Sequence, residues 1–92
     1  MSVAETLRLR LEAAFEPQAL AILDESERHR GHAGHRPGGE THFRIRIVSS
    51  AFAGLSRLAR QRRVHEVLAA EIAGGIHALS LELRTPEEAA SA

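Results

Sequence analysis

The sequence contains no cysteine, no tryptophan and no tyrosine, and its opposite charges balance. The lack of cysteine excludes the disulfide bonds that stabilise many small secreted domains, and also excludes thiol chemistry by this chain. With three phenylalanines as the only aromatic residues, the core must be built mainly from Leu, Ile, Val and Ala. Twelve basic residues against twelve acidic ones disfavour a dedicated nucleic-acid-binding protein, because phosphate contacts usually require a basic excess.

Long apolar segments are missing as well. No run approaches the ~20 residues needed to cross a bilayer, and no basic-then-apolar leader opens the sequence. We therefore expect a cytoplasmic protein. A chain of 92 residues is expected to form a single domain over 1–92, because it cannot support two separate hydrophobic cores.

Hydrophobic periodicity predicts the element order α-β-β-α-β. Ser2 and Glu5 form a capping-box pattern before a helix that ends ahead of Pro17. The residues on its apolar face are Val3, Leu7, Leu11, Ala14 and Phe15. The short apolar run 19–23 suits a first strand. The alternation of Phe43, Ile45 and Ile47 with two arginines is the clearest strand signal in the chain.

The second half of the sequence predicts a long helix and a third strand. The helix is expected over 56–73 and ends at a Gly-Gly pair. The residues expected on its inner side are Leu58, Val64, Val67, Leu68 and Ile72. Leu79, Leu81 and Leu83 alternate with polar residues in the third strand, and Thr85-Pro86 begins a short tail helix. The expected fold class is α+β, with an antiparallel hairpin, a parallel third strand and both main helices on one face of the sheet.

Histidines are the most conspicuous candidates for chemistry. Four of the six lie between positions 29 and 42, and His29, His32 and His35 fall in a Gly-rich loop over about 28–41. Neutral imidazole binds zinc, iron, copper and nickel, but the spacing matches no established zinc pattern. A solvated polar loop is the alternative interpretation, and His42 begins the second strand.

His77 opens the third strand in the phase of its leucines, so we expect its side chain beside the core. From periodicity alone, a structural histidine and a functional one both remain open at this position.

The residues that suggest a basic surface on the long helix are Arg57, Arg60, Arg62 and Arg63. This surface would meet phosphates or an acidic partner, although most charged helix faces are simply solvated. Ser49 and Ser50 are the available nucleophiles, but no triad or phosphate-binding motif accompanies them. The sequence therefore predicts a protein that is not an enzyme.

Taken together, several segments resemble the BolA family in order and spacing. The matching segments are Asp24–Ser26, Gly31–His32, Glu40–Phe43, Val48–Gly54, Arg60–His65, Gly75–Leu79 and Arg84–Glu87. They span nearly the whole chain, and their combination is far more specific than any one of them.

The resemblance implies a fold akin to type II KH domains. It also implies partnership with a monothiol glutaredoxin, with which BolA-like proteins share a bridging [2Fe-2S] cluster and bound glutathione. The family's closing histidine, a cluster ligand, maps onto His77. The second ligand, His or Cys, lies in the loop between the first two strands, which makes His32 the first choice and His29 and His35 the reserves. The isolated chain is then expected to hold no cluster.

Two departures from the family pattern are visible. Gln61 occupies the central position of the helical Arg-His-Arg signature, so the role of that histidine is absent or displaced to His65. The aromatic residue often found after the Thr-Pro-x-Glu turn is missing. The alternative function implied by the family is a DNA-binding transcriptional regulator of stress response and cell morphology. The neutral charge and the lack of a Gly-x-x-Gly loop between suitable helices disfavour that function.

Overall fold

The computed structural model describes residues 2–25 and 42–91. The elements in chain order are α1 (Val3–Phe15), β1 (Ala19–Asp24), β2 (His42–Val48), a 3₁₀ helix (Ser50–Phe52), α2 (Arg57–Val67), α3 (Ala69–Ala73), β3 (Ala78–Arg84) and α4 (Pro86–Ser91). Among the described helices, none is both long and apolar enough to span a membrane.

The three strands form one mixed sheet with β2 in the centre. β1 and β2 are antiparallel, and their register places Ile22 opposite Ile45. β3 runs parallel to β2, and its first residue, Ala78, lies opposite His42. The predicted antiparallel hairpin and parallel third strand are both confirmed.

The hydrophobic core lies between one face of the sheet and the helices. Side chains alternate across each strand, so Phe43, Ile45 and Ile47 point into the core while Arg44 and Arg46 face solvent. The buried core residues are Leu7, Leu11, Phe15, Phe43, Ile45, Ile47, Phe52, Val64, Leu68 and Ile76. On the opposite face of the sheet, Ala21, Arg44 and Arg46 are exposed. On α1 the predicted apolar face is correct except at Ala14, which is exposed.

The predicted helix over 56–73 is wrong in two respects. It is divided at Leu68, whose backbone leaves the helical region (φ −100°, ψ 14°) while its side chain is fully buried. Neither Gly nor Pro marks this position, so the break follows from tertiary packing. Leu58 is 59% exposed, because it is rotated about 120° around the helix from the buried Val64. The aliphatic stem of Arg60 occupies the core-facing position instead.

Arg60 fastens the C-terminal helix to the rest of the domain. Its guanidinium donates two hydrogen bonds to Glu88, at 2.6 and 3.0 Å, and others to the carbonyl oxygens of Leu55 and Leu83. Thr85 and Glu88 also cap α4 reciprocally through side chain and backbone, which is the capping-box arrangement. Burial of a charge is tolerated here because every bond that Arg60 makes is directed at an oxygen acceptor.

We expect this ion pair to make stability depend on acid pH. The hydrogen bond from Arg60, followed by that from the Thr85 backbone N–H, lowers the pKa of Glu88 to about 2. A lowered carboxyl pKa stabilises the fold fully above its unfolded value near 4.5, and this contribution is lost as pH falls toward 2. The melting temperature of Glu88→Gln should therefore lie below that of the wild type at pH 6, and the difference should begin to shrink below about pH 4.5 and disappear near pH 2.

Glu87→Gln is the matched control for this prediction. It removes the same charge from the same helix, and Glu87 makes no ion pair with any described residue. Its melting curve should follow that of the wild type at every pH. A Glu88→Gln difference that stayed constant from pH 7 to pH 3 would contradict the assignment.

Candidate functional site

Two histidines lie together at one end of the sheet. His42 begins β2 and His77 directly precedes β3, and their ring centroids are 5.9 Å apart with the planes inclined by 20°. The parallel register of β2 and β3 is the cause, because it pairs His42 with Ala78, the residue next to His77. The sheet therefore presents two imidazoles side by side.

The position of His77 differs from the sequence prediction. The residue lies outside β3 and is exposed, whereas the buried neighbour that fills the core is Ile76. His77 is therefore not a satisfied core histidine. Its ring is available to solvent, as a ligand shared with a second protein would have to be.

The segment 26–41 joins the sheet at this same end. It leaves after β1 and returns at His42, where the Glu25 backbone N–H donates to the His42 carbonyl oxygen at 2.8 Å. The predicted ligand His32 and the reserves His29 and His35 lie in this segment, outside the described residues. Chain connectivity alone attaches them to the end of the sheet where His42 and His77 lie.

The described part of the chain does not complete a metal site. Within residues 2–25 and 42–91, no group of three or more His, Cys, Asp or Glu side chains could hold a metal ion. His65, the other described histidine, is exposed on α2. Within the described residues, this end of the sheet therefore provides two imidazoles, those of His42 and His77.

His42 is the functional candidate that sequence reasoning did not select as a ligand. Its place at the start of the second strand was recognised, but not its proximity to His77. A signal for it exists in the sequence, because the amino ends of parallel strands lie at the same edge of a sheet. Histidines at the starts of two adjacent parallel strands are then expected to be neighbours.

The predicted basic surface does not form one patch. Arg60 is only 7% exposed and is bonded to Glu88, so its guanidinium does not face solvent. Arg57, Arg62 and Arg63 are exposed but point in different directions, since successive helical residues differ by about 100°. The groove of about 930 Å³ between α2, β3 and α4 is bordered by three arginines and three glutamates, so it has no basic excess.

Ser49 is a structural residue and not a nucleophile. It is fully buried, and its Oγ donates a 2.6 Å hydrogen bond to the Phe15 carbonyl oxygen while accepting one from the Ala51 N–H at 3.1 Å. A hydroxyl in this position cannot reach a substrate. Ser50 is exposed, but no described histidine bonds to it.

The described residues thus form a small α+β domain in which a half-buried and an exposed histidine lie side by side at one end of the sheet. Comparison with protein families identifies it further, since the model described as "BolA-like protein" matches residues 11–88. The chain therefore belongs to the BolA-like protein family.

Individual relatives agree with this assignment. Human BolA-like protein 1 is 48% identical over 86 residues, which cover 94% of this chain and 60% of that protein. The chain thus spans well under two thirds of that relative's length. The structure of BolA1 from Arabidopsis thaliana superposes with a TM-score of 0.86 at 40% identity, covering 96% of both chains. The DNA-binding transcriptional regulator BolA of Haemophilus influenzae is 36% identical, over 96% of this chain and 82% of that protein.

Proposed function

We propose that this protein is a non-enzymatic adaptor in iron–sulfur cluster assembly or trafficking and in iron homeostasis. In this role it shares a [2Fe-2S] cluster with a monothiol glutaredoxin and its bound glutathione. The observation that carries the proposal is the contact between the half-buried His42 and the exposed His77, to which the segment containing His32 is attached. We take His77 as the principal ligand and His32 as the second, with His29 and His35 as reserves.

The donor set fits a cluster that bridges two chains. [2Fe-2S] clusters are usually held by four thiolates, and in Rieske centres two histidines replace two of them on one iron. This chain has imidazoles but no cysteine, so it can supply at most the histidine half of such a set. The thiolates must come from the glutaredoxin and from glutathione. Within this chain, the register of β2 and β3 holds the ring of His77 beside that of His42.

A second candidate function is transcriptional regulation through DNA. It is favoured by the similarity to the Haemophilus influenzae regulator. It is disfavoured by the balanced charge and by the divergent directions of Arg57, Arg62 and Arg63, because phosphate contacts supply most non-specific affinity. Tight binding of the purified chain to one defined duplex at physiological salt would replace our proposal.

The proposal is tested by mixing the protein anaerobically with a monothiol glutaredoxin, glutathione, iron and sulfide. We expect a coloured heterodimer whose visible spectrum differs from that of the glutaredoxin homodimer. The isolated protein, treated in the same way, should stay colourless because it lacks thiolates. Size-exclusion chromatography with absorption detection measures both outcomes.

Two controls define the result. His65→Ala removes an exposed histidine from α2 and should leave the heterodimer spectrum unchanged. Glutaredoxin alone gives the reference spectrum of its own cluster. A stable cluster on the isolated protein, or a mixture that shows only the homodimer spectrum, would refute the shared-ligand model.

A further inference from the structure

A buried carboxylate lies behind the turn that leads to His77. Glu71, the charged residue of α3, has a side chain that is only 11% exposed, and its Oε2 accepts a 2.8 Å hydrogen bond from Nε of Arg10 on α1. The other oxygen, Oε1, is buried, and no described residue offers it a hydrogen-bond donor. A buried polar atom without a partner costs free energy, so the bond to Arg10 is the described contact that offsets the burial of this carboxylate.

The backbone of Glu71 organises the following turn. Its carbonyl oxygen accepts from the N–H of Gly74 at 3.1 Å and from the N–H of Ile76 at 3.5 Å. Gly75 between them has a φ of 136°, a conformation that glycine adopts far more readily than other residues. The next residue after Ile76 is His77.

The partner of Glu71 lies on a helix that is packed into the core. α1 is fixed in the core by Leu7 and Leu11, which are both fully buried, and Arg10 lies between them on the same helix. The side chain of Arg10 is 48% exposed, and its bond to Glu71 connects this packed helix to the residue whose carbonyl oxygen holds the turn. Ile76, itself buried, fixes the turn from the core side and leaves the His77 ring against His42.

We propose that Glu71 is a positioning residue which, anchored by Arg10, holds the turn over 74–77 so that the His77 ring stays beside His42. This inference rests on the proposed function in one respect, since it takes His77 as a ligand. The positioning itself is a property of the protein without a cluster and is measured there.

The test compares Arg10→Gln and Glu71→Gln with the wild type by NMR in the absence of iron. Both variants should lose the nuclear Overhauser contact between the ring protons of His42 and His77. Amide exchange at Gly74 and Ile76 should quicken by about tenfold relative to core amides such as that of Ile45. Arg10→Lys, which keeps the cation, should restore the ring contact that Arg10→Gln loses.

Arg8→Gln is the matched control, because it removes the same charge from the same helix and breaks only an exposed pair with Glu12. It should leave the ring contact and the local exchange unchanged. If Arg10→Gln and Glu71→Gln lower the melting temperature but keep the ring contact, the pair is merely structural and the inference is overturned. Faster exchange at every amide in equal measure would overturn it too.

The cluster measurement separates this inference from the proposed function. With a glutaredoxin and glutathione, Glu71→Gln should give a heterodimeric cluster that decays several times faster than that of the wild type. If the wild type forms no shared cluster at all, the proposed function fails, while the ring contact and exchange data still decide the positioning role. If the ring contact is lost but the cluster lifetime is unchanged, the link from position to ligation is refuted.

Discussion

Substituting His77 by alanine is expected to abolish the visible absorption of the cluster shared with a monothiol glutaredoxin, while the two apoproteins still associate. His77 is exposed and lies outside β3, so its substitution removes the proposed ligand without opening a cavity. We therefore expect the free energy of unfolding to change by less than about 1 kcal/mol. Visible spectroscopy of the complex and thermal melting of the free protein measure the two quantities separately.

Substitutions of the other histidines are expected to weaken the cluster signal to different degrees. His42→Ala removes the ring that lies beside His77 and should shorten the lifetime of the cluster. His32→Ala should leave a weaker and shorter-lived signal, because His29 and His35 are available in the same segment. Removing all three loop histidines should match the loss seen in His77→Ala.

Two outcomes would contradict the proposed ligand role of His77. If His77→Ala melts early and still forms a normal cluster, the residue is structural. His65→Ala serves as the control for the general loss of an exposed imidazole, and its spectrum should be that of the wild type. A loss of signal in His65→Ala as large as that in His77→Ala would make the effect nonspecific.

The strands and their pairing were predictable because their signals are local. Phe43, Ile45 and Ile47 alternate with arginines in the sequence. The same alternation gives β2 one buried and one exposed face, so the structural feature can be predicted directly from the local pattern. The hairpin and the parallel crossover then follow from chain connectivity. Ser2 and Thr85 cap their helices as predicted, since capping depends on residues three positions apart.

The orientation of α2 was not predictable in the same way. The burial of Arg60 depends on acceptors that are distant in sequence, namely the Leu83 carbonyl and the carboxylate of Glu88. Local periodicity favours a leucine over an arginine in the core, so the sequence pattern predicts that Leu58 is buried. The docking of α4 supplies the carboxylate, while the carbonyl oxygens of Leu55 and Leu83 accept the remaining hydrogen bonds of the guanidinium.

The sequence selects His77 and His32 as candidate ligands, but it does not select His42 or Glu71. The family resemblance identified His77, and chain connectivity attaches His32 to the same end of the sheet. The contact between His42 and His77 depends on the register of β2 and β3. The role inferred for Glu71 depends on a bond to Arg10, 61 positions away. Neither relation leaves a periodic signal in the sequence.

The hydroxyl of Ser49 forms hydrogen bonds with the backbone of both α1 and the 3₁₀ helix. α1 is followed by Glu16, whose backbone has the left-handed conformation (φ 43°). The carbonyl oxygen of Phe15, the last residue of α1, accepts a hydrogen bond from the Ser49 hydroxyl. The same hydroxyl accepts from the first turn of the 3₁₀ helix through Ala51. The bond spans α1 and the end of β2, so it holds the first helix against the sheet.

Ser49→Ala is therefore expected to be among the most destabilising single substitutions in this chain. It leaves the Phe15 carbonyl oxygen and the Ala51 N–H without their partner, which should lower the free energy of unfolding by about 2–3 kcal/mol. For a domain of this size, that corresponds to a fall in melting temperature of roughly 10–20 °C. Ser50→Ala is the matched control, since Ser50 is exposed and adjacent, and it should melt within about 0.5 kcal/mol of the wild type. Equal melting of the two variants would show that the Ser49 hydroxyl does not hold α1 to the sheet.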